Sequence, residues 1–195
     1  MKLSLGTAQF GTNYGISNSN GVVTNSEIQR ILEVASASGV NSIDTALSYG
    51  HSEETLGLCG DLSRFDIITK SFQFKKKILY KADADKLEAE FNNSLSRLGL
   101  DSIYGFMIHL PSDLLANGGE WLFDRICYLR SQHKIRKIGV SVYSPSDVDQ
   151  ILSLFDIDLI QVPLYIFDQR LIQGGQLTKL KALGIEIHAR SIFLQ

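Results

Sequence analysis

Short apolar runs alternate with amphipathic ones along the whole chain. Seven runs read as strands: Lys2 to Leu5, Val40 to Asp44, Phe65 to Lys70, Ile103 to His109, Lys137 to Val142, Asp158 to Val162 and Ile185 to Ala189. Between them apolar residues recur at the three-and-four spacing of a helix that buries one face: Ile28, Ile31, Leu32 and Ala35; Leu87, Phe91, Leu95 and Leu98; Leu122, Ile126 and Leu129; Leu177, Leu180 and Leu183. The helix ends are marked too. Thr24-Asn25-Ser26-Glu27 fits a capping box, and Ser144-Pro145-Ser146-Asp147 offers a cap, a first-turn proline and an acidic third position. Gly39, Gly99 and Gly184 stand where three helices give way to the next strand. Strands spaced about 30 residues apart with helices between them predict parallel β/α units.

Composition agrees with one globular domain. Of 195 residues, 44% are hydrophobic and 21% charged, enough to bury a sizeable core. Nineteen Lys and Arg against 21 Asp and Glu give a net charge of -2, without the basic face that a phosphate backbone requires, so nucleic acid is not an expected partner. No apolar run approaches the ~20 residues of a bilayer span, and Met1 to Leu5 is too short for a signal segment, which points to a cytoplasmic protein with no membrane partner. Cys59 and Cys127 lack metal-ligand spacing and a Cys-x-x-Cys pattern, so both are expected to be packed thiols, with no metal bound. Lys75-Lys76-Lys77 reads as a solvated loop.

Repeated β/α units suit either an open doubly wound sheet or a closed barrel. The loop after the first strand, Gly6 to Gly15, contains neither Gly-x-Gly-x-x-Gly nor a glycine loop ending in Gly-Lys-Ser/Thr, so nucleotide binding of those two kinds is unsupported. A barrel instead draws its chemistry from several strand ends on one face. Asp44, Lys70 and His109 close the second, third and fourth strand candidates, and Tyr49 lies in the loop after the second. Singly, each has an ordinary reading: a turn cap, a solvated lysine, a satisfied histidine, a packed aromatic. At the mouth of one barrel they make an acid/base constellation.

These residues carry a resemblance. Ser42-Ile43-Asp44-Thr45-Ala46-Leu47-Ser48-Tyr49-Gly50-His51-Ser52-Glu53-Glu54-Thr55-Leu56-Gly57 resembles the aldo-keto reductase signature, in which Asp-Thr-Ala and Tyr-Gly precede Ser-Glu and Leu-Gly. Ile68-Thr69-Lys70-Ser71, Met107-Ile108-His109-Leu110-Pro111 and Lys137-Ile138-Gly139-Val140-Ser141 follow in the family's order. The opening Leu5 to Gly11 with Tyr14-Gly15-Ile16 is similar to bacterial members associated with surface-polysaccharide clusters. The resemblance implies a TIM (β/α)8-type barrel and an oxidoreductase that reduces an aldehyde or ketone with hydride from NADPH, NADH being the other candidate. It implies a catalytic tetrad: Tyr49 as proton donor, Lys70 as the cation that favours its phenolate, Asp44 holding Lys70, and His109 orienting and polarising the carbonyl oxygen. It implies cofactor contacts from Gly6, Thr7 and Asp44 near the nicotinamide and its ribose, and from Ser141 and Gln161 at the carboxamide. Two positions depart from the pattern. Val142 follows the serine where an asparagine is usual, and Arg190 stands where many members stack a tyrosine on the nicotinamide ring. A guanidinium can stack on a ring, but its charge disfavours the oxidised cofactor.

An eighth strand would be expected at roughly 215 by the same spacing. The reading is therefore an incomplete barrel of about seven strands spanning residues 1–195 as a single domain, truncated before the part that grips the adenosine 2'-phosphate and pyrophosphate. Unpaired edges on its first and last strands would favour a homo-oligomer that covers the gap. Two other functions fit the residues: a Schiff-base lyase using Lys70 as an amine nucleophile, and a non-catalytic binding or assembly subunit. Phe10, Tyr14, Trp121 and Tyr143 are candidates to line an apolar substrate cleft.

Overall fold

The computed structural model describes residues 3–192. Seven strands form one parallel sheet: β1 (Ser4–Gly6), β2 (Ser42–Asp44), β3 (Asp66–Lys70), β4 (Ile103–Ile108), β5 (Ile135–Ser141), β6 (Leu159–Pro163) and β7 (Glu186–Arg190). Each pairs with its neighbour in the chain, giving the order β1 through β7 without a crossover. The sheet curls. Gln161 on β6 donates from its side-chain nitrogen to Asp44 on β2 at 2.9 Å, whereas four strand spacings in a flat sheet would separate those strands by about 19 Å. The fold is that of an incomplete TIM-type barrel, the one of the two architectures open to repeated β/α units that the family resemblance implies.

The helices lie outside the curl: α1 (Ala8–Gly11), α2 (Asn25–Ala37), α3 (Ser52–Cys59), α4 (Lys81–Leu98), α5 (Pro111–Leu115), α6 (Glu120–Ser131), α7 (Pro145–Leu154), α8 (Arg170–Gln173) and α9 (Gln176–Ala182), with one 3-10 turn at Leu62–Arg64. Strand side chains alternate between two environments because successive residues point to opposite faces. On β3, Ile67 joins the larger core against the helices while Ile68 turns inward to meet Met107 and Leu159. The outer core includes Leu32, Leu56, Leu87, Ile126, Ile151 and Leu180, one from the apolar stripe of each of six helices, and Phe91 of α4 meets Phe106 of β4 edge-on at 4.9 Å. Next to the small inner core the packing turns polar. Glu186 accepts hydrogen bonds from Tyr104 (2.6 Å) and Lys137 (2.5 Å) and pairs with His188 (2.7 Å). Burial pushes the Glu186 carboxyl up, but the bonds from Lys137, Tyr104 and His188 outweigh it and bring it to about 2.

The element ends largely follow their sequence signals. Gly39, Gly99 and Gly184 all have positive φ, the left-handed conformation that ends a helix and that glycine adopts without a Cβ clash. Ser144 and Asp147 form the full reciprocal box at the start of α7. At α2 only half forms: Thr24 accepts from the Glu27 amide at 3.4 Å, while the Glu27 carboxylate turns to Arg30 at 3.3 Å. β2 starts at Ser42, not Val40, because Val40 is still bonded back to Ala35 of α2. β4 ends at Ile108, leaving His109 one residue beyond it. β5 starts earlier than expected, at Ile135, where Ile103 takes up its register. Four-residue α1 and α8, five-residue α5 and the 3-10 turn are too short to show a helical period. Lys75 to Lys77 lie in an exposed loop, with Lys76 pairing Asp83 at 2.6 Å. Cys59 and Cys127 are free and half-buried. No described helix is long and apolar enough to cross a membrane, and no group of three or more metal-ligating side chains occurs among the described residues.

Candidate active site

The loop between β2 and α3 carries the centre of the site. Glu53 of α3 is buried, accepting from Thr69 of β3 at 2.6 Å and from Arg97 of α4 at 2.8 and 2.9 Å, which ties the loop's far end to strand and helix alike. The near end is tied to β1. Thr7 donates from both its amide and its hydroxyl to the Asp44 carbonyl, each at 3.0 Å, and Ser52 donates to the Thr7 hydroxyl at 2.8 Å. Two glycines let the backbones meet. A Cβ on Gly11 would stand 1.9 Å from the Tyr49 carbonyl oxygen, and one on Gly50, at φ +57°, would stand 2.3 Å from the Gly11 carbonyl oxygen. Gly11→Ala is therefore expected to push the Tyr49 loop outward. A displacement near 1 Å can cost about 100-fold in rate, so kcat should fall by that order while far-ultraviolet dichroism stays native; an unchanged kcat would show that the loop absorbs the methyl elsewhere.

Lys70 is the centre of the constellation. Its side chain has no exposed surface, and its ammonium donates to both Asp44 carboxylate oxygens (2.7 and 2.8 Å), to the Thr45 carbonyl (3.0 Å) and to the Tyr49 hydroxyl (3.4 Å). Gln161 adds its own donor to Asp44 and accepts from Ser141 at 3.4 Å. Burial pushes the Tyr49 phenol above its ordinary 10, and the opposing pull of Lys70 is too small to reverse this. The phenolate-favouring effect expected of Lys70 is thus present but outweighed, and Tyr49 keeps its proton at neutral pH.

His109 meets Tyr49 edge-on, with ring centres 6.1 Å apart, and its Nδ1 lies 3.2 Å from the Ser48 hydroxyl. Burial first, and then the Lys70 charge, lower its pKa from 6.5 to about 4, so the imidazole is neutral at pH 7. Stability follows from this. Because the folded pKa lies below the unfolded one, the unfolded chain takes the proton first on acidification; the contribution is whole above about pH 6.5 and is lost as pH falls towards 4. The loss is about 3 kcal/mol at most. Urea midpoints measured across that window should show a steeper acid limb for the wild type than for His109→Gln, and parallel limbs would refute the assignment.

These groups open onto a cavity of about 530 Å³. Gly6, Thr7, Asp44, Tyr49, His109, Ser141, Gln161 and Arg190 all line it, and Lys70 lies behind Asp44 and Tyr49. The structure thus brings together every site residue named from the sequence. Tyr14 and Tyr143 also line the cavity, but Phe10 is in the outer core and Trp121 is half-exposed on α6, so neither forms a cleft wall. Among the described residues Arg190 pairs with no carboxylate; its Nη2 donates to the Val142 carbonyl at 3.0 Å and its guanidinium lies 4.4 Å from the Tyr143 ring centre. Ser48, Ser52, Gly11 and His188 were not singled out from the letters. Ser48 and Ser52 fall inside the signature segment, which is the signal that could have found them. A second cavity of about 470 Å³, lined by Leu62, Phe65, Tyr104 and Arg136 among others, contains none of the site residues.

The described fold matches known proteins. The chain belongs to the aldo/keto reductase family, whose pattern it matches over residues 2–195. It is 30% identical over 141 residues to the aldo-keto reductase YhdN of Bacillus subtilis (strain 168), a match covering 68% of this chain and 42% of that protein. The chain thus spans under half the length of the curated relatives it matches. Among solved structures, PA4992 from Pseudomonas aeruginosa superposes with a TM-score of 0.78 at 24% identity, covering 96% of this chain and 72% of the other. The Bombyx mori aldo-keto reductase AKR2E4, solved in complex with NADP, superposes with a TM-score of 0.70 at 20% identity, covering 97% and 62%.

Proposed function

We propose that the chain carries the catalytic face of an oxidoreductase that reduces an aldehyde or ketone with hydride from NADPH, NADH being the weaker candidate. The observation that carries this reading is one buried ammonium, Lys70, shared between the Asp44 carboxylate and the Tyr49 hydroxyl, with a neutral imidazole across the tyrosine ring. The cavity fits the nicotinamide half of such a cofactor. Its volume is in the range of small-molecule sites. A Cβ on Gly6 would meet nothing within 4 Å, so the end of β1 opens onto free space. The Gln161 amide keeps one N–H and one lone pair beyond its bonds to Asp44 and Ser141, the complement of a carboxamide. When bound, the reduced cofactor supplies the hydride.

The chain's own groups then do the acid/base work. The carbonyl oxygen sits between Tyr49 and His109. As negative charge develops on that oxygen, Tyr49 gives up its hydroxyl proton and Lys70 stabilises the resulting phenolate. His109, neutral and with Nδ1 facing Ser48, donates from Nε2 to the same oxygen. Asp44 keeps Lys70 in place through two charge-assisted bonds.

The Schiff-base alternative requires Lys70 as a free amine, whereas its nitrogen meets four acceptors and no solvent. A purely binding subunit would have no use for the complete tetrad. Among the described residues β1 and β7 each have one strand neighbour, which supports the self-association expected of an open barrel. A cytoplasmic setting fits a dependence on reduced nicotinamide cofactor. The test is titration with NADPH and with NADH, followed by loss of the reduced-nicotinamide absorbance on addition of an aldehyde. Binding with aldehyde-dependent oxidation is expected; failure of both cofactors to bind at millimolar concentration would sink the reading.

A further inference from the structure

Arg190 is the unexplained charge in the pocket. It closes β7 and faces the cavity, its guanidinium resting on the Tyr143 ring and held by the Val142 carbonyl. Both contacts come from the stretch just after Ser141, so the two positions that depart from the family pattern, Val142 and Arg190, form one structural unit. The Arg190 Nε is screened from solvent and has no hydrogen-bond partner among the described residues.

The charges around it do not cancel. Asp44 is neutralised by Lys70, and His109 is uncharged at neutral pH. Glu186 is held by Lys137 as well as by His188, so its carboxylate is already matched. Among the described residues that line the cavity, Arg190 is left as an uncompensated cation. A cavity of about 530 Å³ has the volume of a sphere ~10 Å across, so a ring held in it lies within about one Debye length of the guanidinium, in a space where salt screens poorly.

We propose that Arg190 makes this pocket discriminate by oxidation state, favouring the uncharged reduced nicotinamide ring over the cationic oxidised one. The inference rests on the cofactor reading above. The physical cause is repulsion between two like charges in a poorly screened site, which one ring form experiences and the other does not. The phosphates, common to both forms, feel the same guanidinium either way and drop out of the comparison. The bias loads the site with the reduced cofactor and speeds release of the oxidised product, while making the bound ring a weaker hydride donor.

Calorimetric titration of the whole chain with reduced and oxidised nicotinamide mononucleotide, and with NADPH and NADP, tests this without turnover. The mononucleotides probe the ring half alone. In Arg190→Gln the ratio of oxidised to reduced Kd should fall about tenfold from its wild-type value. Arg190→Lys, which keeps the charge, should preserve most of the ratio, and this separates charge from shape and from any general loosening of the site. A ratio that stays within about twofold in Arg190→Gln would overturn the proposal while leaving the cofactor reading intact. Binding of neither form to the wild type would overturn both.

Discussion

Tyr49→Phe is expected to lower carbonyl reduction about 100- to 10,000-fold while leaving cofactor affinity nearly unchanged. The substitution removes one oxygen. Its ring remains available for the edge-on contact with His109, and the loop keeps the Tyr49 backbone bonds to Ala46 and Ser52. What is lost is the transferable proton and the 3.4 Å contact to Lys70. Because burial holds the Tyr49 phenol above 10, the wild-type rate should stay flat through neutral pH with respect to this group and decline only in strong alkali, where the proton donor ionises. Steady-state rates and calorimetric affinities measured on the same preparation decide the matter. Loss of both activity and cofactor binding would assign Tyr49 a structural role.

Lys70→Met should be the most destabilising change in the site. Methionine fills much of the lysine's volume, so little cavity forms, but Asp44 is left with a largely buried carboxylate whose remaining side-chain donor is Gln161. Breaking a buried pair from one side costs about 3–5 kcal/mol. For a domain of this size that lowers the thermal midpoint by roughly 10 °C. Adding Asp44→Asn removes the stranded charge, so the double variant should recover a good part of the loss though no activity. Melting curves of both single variants and the double variant provide the cycle. Costs that simply add would mean that Asp44 and Lys70 do not act as a pair.

The seven strands and the long helices were legible because each element's own residues set its period. The inward and outward faces of β3 follow from alternation alone, and the ends of α2, α4 and α9 from glycines whose φ is positive. The tetrad was legible for a related reason: Asp44, Lys70 and His109 sit at strand ends, and parallel strands in sequential order must bring those ends together. What the letters did not carry was contact between distant segments. Gly11 looks like any loop glycine until the Tyr49 carbonyl is found against it. Gln161 reads as a cofactor contact, and its bond to Asp44 appears only once the sheet has curled. Phe10 and Tyr14 are both aromatic residues of the stretch between β1 and α2, yet one packs into the outer core from α1 and the other faces the cavity. The balance at Tyr49 was also hidden, since it depends on how much water the fold removes and not on which cation stands nearby.

The Gln161 bond also has a meaning in time. It joins residues 117 positions apart. Non-local contacts of this kind must bear the entropy of loop closure before they return any energy, which slows folding. Asp44 and Lys70 can find each other as soon as β2 and β3 pair, but the Asp44 carboxylate gains its last side-chain donor only when β6 has swung round to the far side of the curl. On a chain emerging from its N-terminus the Asp44–Lys70 pair is assembled early and locked late, so the first species to regain strand pairing would not yet be the first to regain a fully ordered site.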